Sequence, residues 1–180
     1  MIDRTMRLHS PIMVNDIKHL CLLVPQGSIG IEIGSFGGES ALLFAQSSKF
    51  SKLYCVDPWD EGYYKAHNMG EVEATFDERT KGYKHIIEKV KMKSNIAYNL
   101  LRNRDVNFVY IDGNHKYEEV RNDIIIYKEL LQHSASALPL ILAGHDYKFA
   151  KSPGVAPAVK EVLGFPDVRF AGYSWLKFIE

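Results

Sequence analysis

The chain is poor in features that mark specialised classes. Only two of its 180 residues are cysteines, Cys21 and Cys55. No Cys-x-x-Cys or Cys/His zinc spacing occurs, which excludes a disulfide framework and the usual zinc sites. Each cysteine lies in an apolar run, the setting of a small buried hydrophobe rather than a redox pair. No apolar stretch reaches the ~20 residues of a membrane span, and Met1–Arg7 is not followed by a signal-peptide core. Neither sign of charge is in excess, with 22 Lys+Arg against 22 Asp+Glu. The basic surplus by which nucleic-acid binders displace counterions is therefore missing. Repeats, low-complexity tracts and long linkers are absent as well. These absences lead to the expectation of a cytoplasmic protein with no membrane or nucleic-acid partner. They also suggest one domain over residues 1–180, with 1–27 as a helical extension and the oligomeric state open.

What is present is an ordinary globular composition, 46% hydrophobic and 24% charged, in which β-branched runs alternate with amphipathic stretches. Ser10 and Pro11 open a helix that Pro25-Gln-Gly27 closes. Ile29–Ile33 and Lys52–Val56 read as strands around a helix over Glu39–Ser47. Pro58–Lys84 reads as mostly helical, His85–Met92 as a strand and Asn95–Leu101 as a short helix. Val106–Ile111 is the strongest strand. The helix Tyr117–Gln132 follows, with Val120, Ile124, Tyr127 and Leu131 on one face. Leu138–Ala143, Val155–Leu163 and a hairpin of 168–171 with 173–179 complete the pattern. Such alternation predicts an α/β fold: a doubly wound, Rossmann-like, seven-stranded sheet, mostly parallel with one antiparallel edge strand. Ligands in such sheets bind beyond the carboxyl ends of the strands. That directs attention to residues 34–40, 57–60, 93–94, 112–117 and 144–148.

The first of these segments is Glu32-Ile-Gly-Ser-Phe-Gly-Gly-Glu-Ser40. Its glycines allow positive φ and close approach, and the helix start behind them faces an anion; a ligand-free tight turn is the plain alternative. Asp57 ends the next strand, about 20 residues on, where an acid suits a ribose diol. A dinucleotide fingerprint needs glycine at positions 34, 36 and 39, but Phe36 and Glu39 occupy two of them. Phe36 blocks the approach of pyrophosphate, and Glu39 repels it. S-adenosylmethionine has no phosphate and carries an ammonium and a sulfonium, so the acidic surroundings favour it.

The turn resembles motif I of class I S-adenosylmethionine-dependent methyltransferases, and Val56-Asp-Pro-Trp59 resembles their ribose-binding segment. Ile111-Asp-Gly-Asn-His-Lys-Tyr-Glu118 and Ala143-Gly-His-Asp-Tyr147 are similar to two segments of one small-molecule group of that family. The resemblance implies a cofactor site. Glu32, Gly34, Ser35, Phe36, Gly37, Gly38 and Ser40 would surround the methionine end. Asp57 would take the ribose hydroxyls, Trp59 and Ser94 would lie beside the adenine, and Asp112 near the methyl group. Two departures are Lys93, where an acidic residue is common, and Asn114, which replaces an aspartate.

Asp112 and Asp146 follow strands expected to be neighbours, so their carboxylates are candidate ligands for a hard divalent cation such as Mg²⁺. Metal-dependent O-methyltransferases of related fold place acidic ligands after these same strands. There a cation would lower the pKa of an acceptor hydroxyl. The plain alternative is a pair of polar turns. His145 and His115 are candidate general bases, with Lys148 a weaker one; His67 and His85 read as surface or packing residues. Trp59–Met69, rich in aromatic and polar side chains, reads as a helix on the sheet with a substrate wall or lid as the alternative. Tyr173-Ser-Trp175 reads as core. The expected activity is methyl transfer from S-adenosylmethionine to a hydroxyl of a small polar metabolite or sugar. A nicotinamide-dependent oxidoreductase and a non-catalytic binding module are the alternatives.

Overall fold

A computed structural model describes residues 10–60, 62 and 67–180. Helix α1 (Pro11–Leu23) begins where Ser10 accepts a hydrogen bond from the Met13 amide at 3.4 Å. Strand β1 (Ser28–Ile33), α2 (Glu39–Gln46), β2 (Phe50–Asp57), α3 (Met69–Thr80) and β3 (Ile87–Lys91) follow. Next come α4 (Ser94–Leu101), β4 (Phe108–Ile111), α5 (Tyr117–Gln132), β5 (Leu140–Gly144), α6 (Val155–Leu163), β6 (Val168–Arg169) and β7 (Trp175–Ile179).

The strands form one seven-stranded sheet in the order β3-β2-β1-β4-β5-β7-β6. Strands β1 to β5 are parallel, and β7 runs antiparallel to both β5 and β6. The antiparallel strand is therefore one place in from the edge, and two-residue β6 is outermost. Alternate side chains of each strand enter different cores, so the strands are apolar on both faces. Val109 and Ile111 of β4 join a core with α4, α5 and α6. Phe108 and Tyr110 join another with α1, α2 and α3. Both cysteines are free and buried; burial pushes the Cys21 thiol up to about 11.

Among the described residues, the long helix expected over Pro58–Lys84 is confined to Met69–Thr80, followed by a short 3-10 turn at Lys81–Tyr83. Asn68 starts α3 by accepting from the Gly70 and Glu71 amides while donating to the Glu71 carboxylate. Upstream, Trp59 has φ +42°, which no helix accommodates. Residues 61 and 63–66 of the expected helix lie outside the described residues.

Strand order reverses between β1 and β4, so the carboxyl ends of these strands open a crevice. There the chain meets itself closely. A Cβ on Gly34 would stand 2.2 Å from the Asp112 carbonyl oxygen, and Gly34 has φ +89°. Glycine at 34 is thus required by the packing of β1 against the segment after β4, before any ligand is considered.

Candidate functional site

Two clefts meet at this crevice, sharing Gly34 and Gly113. The first, ≈460 Å³, runs from Asp57 and Pro58 past Lys93 and Ser94 to Asn122 and Asp123 of α5. The second, ≈270 Å³, is lined by the glycine turn, Ser40, Arg79 and Met13 on one side and by Asp112, His115, His145 and Asp146 on the other.

The turn between them is held from several directions. Asp57 accepts the Phe36 amide at 3.0 Å on one oxygen and the Trp59 amide at 2.8 Å on the other. Arg79 of α3 donates to the Gly37 carbonyl at 2.8 Å. Trp59, expected beside the adenine, instead faces the core, with its indole N–H on the Phe36 carbonyl (2.9 Å) and its ring 5.0 Å from that of Phe76. Its positive φ swings the side chain under the turn, where it serves as a staple. Asp57 lines the first cleft while clamping the turn, and each of its oxygens keeps a second lone pair for a ligand.

Glu32 is fully buried behind the turn. One carboxylate oxygen accepts from Ser35 Oγ at 2.6 Å, and the other has no hydrogen-bond partner. Burial pushes its pKa up to about 7 against the opposing bond from Ser35, and the nearby Asp112 charge adds to the rise.

In the second cleft Asp112, His145 and Asp146 offer ligand atoms all within 4.8 Å of one another. His145 Nδ1 lies 2.7 Å from Asp146 Oδ1, and His145 Nε2 lies 2.8 Å from the Gly172 carbonyl. His115 Nε2 is 3.3 Å from both Asp112 Oδ1 and Asp146 Oδ2. Burial disfavours the His145 cation, but Asp146 and Asp112 outweigh it and raise its pKa to about 9. Burial would raise Asp146, yet hydrogen bonds from His145 and Ser152 hold it below the usual carboxylate range. Asp146 sits at φ +61°, a left-handed conformation that Asp tolerates better than most residues.

The two histidines differ in exposure. Both ring nitrogens of the buried His145 have partners, in Asp146 and the Gly172 carbonyl. His115 is the half-exposed imidazole facing the cleft. Trp175 is fully buried as expected, whereas Tyr173 is exposed.

Several residues of the site escaped the sequence reading. Ser152 donates to Asp146 at 2.6 Å from the loop before α6. Met13 brings α1 into the second cleft. Asp123 lies on the apolar face of α5 beside Ile124, and an acid on that face was a legible signal.

The fold is that of the class I S-adenosylmethionine-dependent methyltransferases. Residues 31–147, well over half the chain, match the model of a family described as a methyltransferase domain, and the chain belongs to that family. The assignment selects methyl transfer over nicotinamide chemistry. Along 99% of its length the chain is 26% identical to an uncharacterized protein of Acanthamoeba polyphaga mimivirus, covering 76% of that protein. Among solved structures it is similar to the O-methyltransferase TomG of Streptomyces achromogenes, involved in tomaymycin synthesis and complexed with S-adenosylmethionine. The TM-score is 0.62 and the identity 17%, over 95% of this chain and 81% of that one. An O-methyltransferase of Bacillus cereus complexed with S-adenosylhomocysteine gives a TM-score of 0.62 and 14% identity, over 95% and 82% of the two chains. At these identities the likeness speaks for the fold. Among the described residues no helix is long and apolar enough to cross a membrane.

Proposed function

We propose that the chain methylates a hydroxyl of a small polar molecule, with S-adenosylmethionine in the joined clefts and a divalent cation between Asp112, His145 and Asp146. The observation that carries this reading is the carboxylate–imidazole cluster standing one glycine turn away from a cleft of ≈460 Å³. The residues fit the cofactor. Asp57 offers lone pairs for a diol, and Ser94 lines the same cleft. They also fit a cation: two carboxylates and one imidazole converge, and the Gly172 carbonyl on Nε2 aims Nδ1 at the carboxylates. An imidazole in the set admits Mn²⁺ as well as Mg²⁺.

The cofactor supplies an electrophilic methyl on sulfur, and the cation supplies Lewis acidity toward an acceptor oxygen. The chain itself contributes position and charge. The clamps on Phe36 and Gly37 fix the turn before any ligand arrives, so little ordering remains to be done on binding. Ser152 orients Asp146, His145 keeps its proton on Nε2 toward the Gly172 carbonyl and leaves Nδ1 for the cation, and His115 faces the cleft as the proton acceptor. Both named O-methyltransferases of similar fold support an oxygen acceptor.

Calorimetry with S-adenosylhomocysteine, with and without Mg²⁺ or Mn²⁺ and with NAD as control, tests the reading. The homocysteine ligand binds and NAD does not. Methyl transfer to a panel of small hydroxyl compounds depends on the cation, and Asp146→Asn weakens that dependence about tenfold or more while leaving cofactor binding intact. Binding of NAD, or none of S-adenosylhomocysteine, overturns it. Transfer indifferent to the cation and to Asp146→Asn overturns the metal alone.

A further inference from the structure

The first cleft contains an ionisable group that the reading above leaves without a part. Asp123, only 7% exposed, projects from α5 into the cleft that Asp57 begins, opposite the β3–α4 loop. It stands on the face that otherwise buries Val120, Ile124 and Tyr127. A carboxylate in that position forfeits hydration and needs a hydrogen-bond donor in return. Ser94 provides one, and its side chain lowers the pKa of Asp123; burial still dominates and pushes it up to about 6. Lys93 and Asn95 flank Ser94 in the lining of the same cleft.

We propose that Asp123 is the specificity-determining residue for the cofactor's base, its carboxylate accepting a hydrogen bond from the exocyclic amine of adenine. The proposal rests on the cofactor reading above. With the ribose at Asp57, the base extends along the same cleft toward Ser94 and α5, where Asp123 is the buried acceptor. A base without the amine leaves the carboxylate desolvated and short of a donor, the situation in which a polar site rejects an analogue most strongly.

Titration of the full chain with S-adenosylhomocysteine and with its 6-deamino analogue, a purine riboside carrying hydrogen at C6, tests this. The wild-type protein prefers the amine-bearing ligand by roughly 10- to 100-fold, the range for a hydrogen bond to a charged group. Asp123→Ala brings the ratio close to one. Asp123→Asn, which keeps an acceptor oxygen in a side chain of the same shape, retains part of the preference. Equal binding of the two ligands by wild type, or an unchanged ratio in Asp123→Ala, overturns the proposal and leaves the cofactor reading standing. If wild type binds neither ligand, the cofactor reading falls and the proposal with it.

Discussion

Glu32 carries a fully buried carboxyl whose charged form the fold disfavours. Burial, by excluding water, pushes its carboxyl up from the ordinary 4.5 to about 7. Between those values the folded chain holds a proton that the unfolded chain has already lost, so stability falls as pH rises through the interval and levels off above it. The span corresponds to a loss on the order of 3 kcal/mol. Glu32→Gln removes this contribution. Urea denaturation from pH 4.5 to 8 is expected to show wild type losing stability relative to the variant across the interval. Parallel curves would mean that the carboxyl is solvated. The sequence placed the residue beside the glycine turn, but its burial was not legible, because that depends on Ser35 folding back over it. Trp59 failed for a similar reason: the spacing after Asp57 was readable, whereas the positive φ that turns the indole into the core is a property of the folded turn.

At the scale of elements, α1 is tied to the rest of the protein by more than apolar packing. Asp16 is buried and accepts the Gly172 and Ser174 amides, each at 3.0 Å, from the turn joining β6 to β7. The Gly172 carbonyl in turn receives His145 Nε2. The chain of contacts runs from the first helix, through the last hairpin, to the proposed metal ligands. Asp16→Ala leaves two buried amides without acceptors, each costing about 1–3 kcal/mol. Denaturant unfolding should therefore show a loss of roughly 2–5 kcal/mol, with Asp16→Asn losing less because one acceptor oxygen survives. A variant as stable as wild type would make α1 the simple extension that residues 1–27 suggest in the sequence. The sequence showed α1 plainly through Ser10, Pro11 and Gly27. It could not show where Asp16 points, since its partners lie 156 and 158 positions away. Strands β4 and β5 were legible because their apolar runs are buried on both faces, and that placed Asp112, His145 and Asp146 together through topology. Ser152 and Arg79 reach the site from a loop and a helix whose approach no local pattern encodes.

Across the whole molecule, the first cleft draws its walls from β2, the β3–α4 loop, the segment after β4, and α5. None of these holds the cleft alone, and the two cores that support them lie on opposite faces of the sheet. A ligand filling the cleft therefore binds only the assembled fold, and its binding energy adds to global stability. At 100 times its Kd, S-adenosylhomocysteine should stabilise the chain by about 2.7 kcal/mol, a rise in Tm of roughly 5–10 °C for a chain of this size. Asp57 acts at both levels, since it clamps the turn at Phe36 and Trp59 and faces the cleft. Asp57→Asn keeps one acceptor oxygen for the clamp and loses the charge. Its Tm without ligand should fall, and the increment from a fixed ligand concentration should shrink as well. Thermal scans of both proteins separate the two effects: a lower baseline with an undiminished increment would make Asp57 a clamp for the turn and no part of the ligand site.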